Sequence, residues 1–127
     1  MLLSALALKS NAQATKDNPA ADSLFYGVWK GSSICQVKNS SCHNETVVYY
    51  ISKTNKDGVL EIKANKIVDG QEVDMGKFQF QYDPKTKQIT SISQPNAIWK
   101  FKREQNTIEG TLYYNDTLYR IIKVTKN

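Results

Sequence analysis

The sequence predicts an all-β domain, a single eight-stranded antiparallel up-and-down barrel, and three observations carry that expectation. Apolar and polar residues alternate along eight short runs. Residues that favour tight turns punctuate the chain about every ten positions. No stretch as long as three helical turns shows a helical period.

The runs are 24–37, 45–53, 58–68, 73–82, 87–93, 97–103, 107–114 and 117–125. In the third, Leu60, Ile62 and Ala64 face one way while Glu61, Lys63 and Asn65 face the other. In the fourth, Gly76, Phe78, Phe80 and Tyr82 oppose Lys77, Gln79 and Gln81. The sixth sets Ala97, Trp99 and Phe101 against Lys100 and Lys102, and the seventh sets Ile108, Gly110, Leu112 and Tyr114 against Thr107, Glu109 and Thr111. Between the runs lie Asn55-Lys56-Asp57-Gly58, Asp69-Gly70, Asp83-Pro84-Lys85, Gln94-Pro95-Asn96 and Asn115-Asp116, the residue types that tight turns require. Loops this short pair each strand with the next. Eight such strands leave two exposed edges unless the sheet closes, so a barrel is expected ahead of a two-sheet sandwich.

The bulk numbers agree with one soluble domain. A chain of 127 residues, 40% hydrophobic and 23% charged, can bury a single core unaided. The formal charge of +5 is spread over single lysines, with no basic run to mark a nucleic-acid face.

Leu2 to Leu8 form an apolar run, followed by Ala12-Gln13-Ala14. An apolar run ending in a small-x-small triplet is how a secretory signal ends, so residues 1–14 are expected to be a signal peptide whose basic first segment lies ahead of Met1. The run is too short to span a bilayer as a retained helix, so no integral membrane segment is expected in the mature chain. Residues 15–23 are polar and read as a disordered leader, and 24–127 as the barrel.

Gly27-Val28-Trp29 in the first strand, with Arg120 in the last, resembles the lipocalin and wider calycin pattern. The resemblance implies that Trp29 plugs one barrel end and that Arg120 packs across its indole, a cation over an aromatic face. Two features depart from it: the first connection is short where lipocalins carry a long lid, and no helix follows the eighth strand before Asn127. Trp29-x-Gly31-x-Ser33-x-Cys35, then Cys42, Glu45, Val47 and Tyr49, resembles a group of small exported bacterial proteins with no assigned activity. That likeness implies export and a periplasmic or extracellular location, and leaves function open.

Cys35 and Cys42 are the two cysteines of a chain expected to be exported, and a structural disulfide is expected between them. Their spacing does not suit a zinc knuckle with His43, and no fourth ligand is specified, so no metal is expected. His43 has no partner set by the sequence, and Glu45 and Glu61 read as solvent-facing, so neither a catalytic centre nor a cofactor is expected. The inward aromatics are the most informative set. Either they fill a small barrel, or Phe78, Phe80, Trp99, Phe101 and Tyr114 line a cavity for a small apolar ligand. Gly76, Gly110 and Gly31, on inward faces, are the gaps that favour a cavity. The expected function is therefore an exported small-ligand binding module. The alternative is a protein-binding, inhibitory or envelope-structural domain that presents the disulfide-pinned turn.

Overall fold

The computed structural model describes residues 21–38 and 40–127; the expected signal peptide and most of the leader lie outside them. Eight strands follow one another around a closed antiparallel barrel: β1 Gly27–Cys35, β2 Glu45–Lys53, β3 Val59–Val68, β4 Gln71–Asp83, β5 Gln88–Ser91, β6 Ala97–Glu104, β7 Thr107–Tyr114 and β8 Thr117–Lys126. Each pairs with the next in sequence, and β8 returns to β1, with Trp29 opposite Lys126 and Cys35 opposite Arg120. The expected up-and-down barrel is what the chain forms, and the sandwich is set aside. Among the described residues no helix is long and apolar enough to cross a membrane.

Local chemistry explains the hairpins. Asp69 and Gly70 both have positive φ (52° and 79°), as do Asn115 and Asp116 (48° and 65°), the backbone of two-residue turns whose twist matches the flanking strands. Strand ends shift where something competes with pairing. The first strand begins at Gly27 rather than 24 because Asp22–Phe25 coil into a 3₁₀ turn, Tyr26 N–H donating to Ser23 O at 3.0 Å. The fourth is longer than expected because pairing runs on at both ends, Gln71 and Glu72 with Val68 and Ile67 and Asp83 with Gln88. Within it Met75 is an extra residue, Ala64 pairing with Gly76 and Asn65 with Asp74, a β-bulge. On the outer face, Tyr50 Oη and Asn65 Nδ2 donate to Glu72 Oε1 at 2.7 and 2.9 Å, tying β2, β3 and β4 together. Those hydrogen bonds, Asn65's first, hold the Glu72 carboxyl below its usual pKa.

The interior is dry over most of its length. Val47, Tyr49 and Ile51 from β2, Leu60, Ile62 and Ala64 from β3, and Ile122 and Val124 from β8 are buried, as the period-2 reading of these strands requires. Phe80 packs on Phe101 at 5.6 Å between centroids, and Phe101 on Tyr49 at 5.8 Å.

Gly31 and Gly110 are not gaps. A Cβ on Gly31 would strike the carbonyl oxygen of Lys123 and lie 2.7 Å from Val124 Cα, so β1 and β8 close only because position 31 has no side chain. A Cβ on Gly110 would enter the ring of Phe101, its directly opposed neighbour on β6, and lie 2.8 Å from the Lys100 oxygen. The aromatic ring occupies the room the glycine leaves. Gly76 stands in the β3–β4 bulge with φ of 114°, and a Cβ there would meet Phe78 no closer than 3.5 Å. The expectation that Gly31 and Gly110 open a cavity is corrected accordingly.

Gly31→Ala is expected to lower stability by about 3 kcal/mol, the upper end for overpacking in a closed site. Urea unfolding measures it, as a fall in midpoint with unchanged slope. A loss under about 0.5 kcal/mol would show that the seam is not this tight.

Candidate functional site

The two barrel ends differ. At one end the 3₁₀ turn folds under the strands: Phe25 is buried, its ring meets Tyr82 edge-on at 6.3 Å, and its carbonyl oxygen accepts the indole N–H of Trp29 at 2.8 Å. Trp29 is itself buried, so this end is plugged. Lys126 lies over the indole, Nζ 4.8 Å from the ring, and donates to the Tyr26 carbonyl.

Lys126 therefore holds the place expected of Arg120, and that expectation is corrected. Both residues lie on β8 beside β1, but the antiparallel register sets Arg120 opposite Cys35, six rungs from Trp29. At about 3.3 Å per residue the two are roughly 20 Å apart, at opposite ends. Lys126 and Arg120 share strand parity with Ile122 and Val124, so register rather than parity decides which of them meets Trp29.

At the open end lies a cavity of about 260 Å³. Val47, Ala64, Met75, Phe78, Trp99 and Leu112 form its apolar wall, and Ser33, Glu45, Tyr49 and Arg120 its polar side. Phe78 and Trp99 stack at 5.7 Å with planes 26° apart. Met75 reaches the cavity because of the bulge.

Arg120 is only 9% exposed. Its Nη1 donates to both the carbonyl and the hydroxyl oxygen of Ser33, each at 3.2 Å, and its guanidinium carbon sits 5.5 Å from the Tyr119 ring centre. Glu45 Oε1 is 3.7 Å from Nη1, and Glu45 Oε2 is 3.7 Å from Lys66 Nζ. A charge this buried is costly unless paired and hydrogen-bonded, and here both conditions are met. Burial foremost, with the Glu45 charge, pushes the Tyr49 hydroxyl well above its ordinary pKa despite the opposing effect of Arg120, so Tyr49 remains a neutral donor.

Of the aromatics expected to bind ligand, Phe78 and Trp99 line the cavity, while Phe80 and Phe101 are buried in the core below it. Tyr114 does not take part, and its assignment is corrected. It sits at the rim, 50% exposed, where the β7–β8 ladder slips by one residue, and packs on Tyr119 at 6.2 Å. Glu45, read as solvent-facing, proves to border the cavity; its parity with Val47, Tyr49 and Ile51 is the signal that marks it.

Cys35 and Cys42 form the expected disulfide, with Cα atoms 5.9 Å apart, beside the same mouth. Asn44 Oδ1 accepts from the Cys35 amide at 2.9 Å, fixing the turn. Among the described residues no group of three His, Cys, Asp or Glu is placed to hold a metal. A wider hollow of about 1150 Å³ lies outside the plugged end, against Tyr26, Tyr82 and the loop Thr54–Gly58. None of the residues that line it is buried and half are exposed, so it is a gap between hairpins rather than a built site.

Lys126→Ala is expected to cost about 0.5–1 kcal/mol of stability, the size of an exposed cation–π contact. Denaturation of the variant against the parent measures it. A null effect would mean that Trp29 is held by Phe25 alone.

No family model, curated protein or solved structure matches the chain, so its likeness to known proteins is that of architecture, a closed eight-stranded antiparallel barrel.

Proposed function

We propose that the protein is an exported, lipocalin-like binding module that holds a small, largely apolar molecule in the open end of its barrel. The observation that carries this reading is the cavity walled by the stacked Phe78–Trp99 pair, at the end opposite the Trp29 plug. Its volume, about 260 Å³, corresponds to roughly nine waters of liquid and lies just under the usual range for ligand pockets. The occupant is therefore one ring or a short chain rather than a long lipid. The disulfide supports a site of action in an oxidising compartment, periplasmic or extracellular. With no nucleophile–base pair beside the cavity among the described residues, binding is favoured over catalysis.

Toluene, titrated while the Trp99 indole N–H resonance is followed by NMR, is expected to give a saturable shift with Kd near 1 mM or tighter, about −4 kcal/mol. Met75→Trp, which fills the mouth from a half-exposed position, is expected to abolish the shift without unfolding the domain. An unsaturable or absent response in the parent protein would overturn the reading. The exposed pair Ile34 and Ile121, facing each other beside the disulfide turn, would then favour a protein-binding role.

A further inference from the structure

We propose that the ligand is a small monocarboxylate, its anionic group held by Arg120 and its apolar body lying against Phe78 and Trp99. The inference rests on the pocket reading above and names the chemical class that the pocket selects.

The polar side of the cavity is not built as a closed ion pair. Arg120 carries five N–H donors, and its hydrogen bonds, both to Ser33, leave from Nη1 alone. Asn65 Oδ1 is the one buried side-chain polar atom without a partner among the described residues. The remaining guanidinium donors are therefore not sealed in protein, and Arg120 is one of the residues that line the cavity. Glu45 does not take them up. At 3.7 Å from Nη1 it lies beyond hydrogen-bonding distance, and it sits equally far from Lys66.

The local charge favours an anion. Arg120 and Lys66 face one carboxylate, so the cluster is one positive charge in excess, behind an apolar wall that strengthens electrostatic attraction. The planar guanidinium presents paired donors that match a carboxylate's two oxygens. When a ligand carboxylate docks, Glu45 keeps Lys66 as its counter-ion, so no buried charge is left alone. The apolar wall selects against inorganic anions, and the cavity's size excludes long-chain acids from lying within it.

The test compares phenylacetate with phenylacetamide, which share a shape and differ in charge, by calorimetric titration of the full chain. Phenylacetate is expected to bind at least about tenfold more tightly, the strength of hydrogen bonds to a charged group. Arg120→Gln is expected to erase that preference and Arg120→Lys to restore part of it. Glu45→Gln is expected to tighten phenylacetate binding several-fold by removing the competing carboxylate. The parent protein alone is decisive, so the test survives if an Arg120 variant fails to fold. Equal affinity for the acid and the amide would overturn the carboxylate assignment and leave the pocket standing. Failure of toluene, acid and amide alike would overturn the pocket itself.

Discussion

The structure depends on one close approach, the backbone of β1 at Gly31 against that of β8 at Lys123 and Val124. Without it the sheet would carry two unpaired edges; with it every strand has two neighbours. The same seam sets the two ends of the barrel. Its register places Trp29 and Lys126 together at one end, and Cys35 and Arg120 together at the other. The plug, the disulfide turn and the buried cation are thus positioned by a single strand pairing.

The ends diverge because the chain treats them differently. Below, the 3₁₀ turn brings Phe25 under the barrel and satisfies the indole N–H, so a large aromatic is buried with no polar group left over. In the middle, Phe101 lies over Gly110 and meets Tyr49 and Phe80, which fills the section. Above, the bulge at Met75 lets β4 bend, and the facing residues are small or polar: Ser33, Ala64 and Glu45. They do not reach across, and a cavity remains. Its one buried cation is held in place by Ser33 and kept from isolation by Glu45. That is a poor arrangement for stability alone, since an apolar side chain of similar size would serve at least as well.

Much of this was legible in the sequence. Period-2 alternation marks the inward faces of β3 and β7, and Asp69-Gly70 and Asn115-Asp116 mark their turns. The cysteine pair stands out in so short a polar segment. What was not legible lies in register and bulges. The partner of Trp29 depends on how β8 pairs with β1, a long-range choice that local pattern does not encode, since Arg120 and Lys126 share one parity. Tyr114 shares parity with Ile108 and Leu112, but it is the last residue of β7 and so sits at the rim. Glycines 31 and 110 look like vacancies in a linear pattern. In three dimensions one admits a neighbouring backbone and the other an aromatic ring.

Amide hydrogen exchange along the β1–β8 ladder tests closure most directly. The account predicts that these amides exchange only through global opening, with free energies within about 1 kcal/mol of those on the β2–β3 ladder. Exchange of the β1–β8 amides by local opening, several kcal/mol easier while β2–β3 stays protected, would contradict it: the sheet would then be open, and the ends that closure sets would have no common origin.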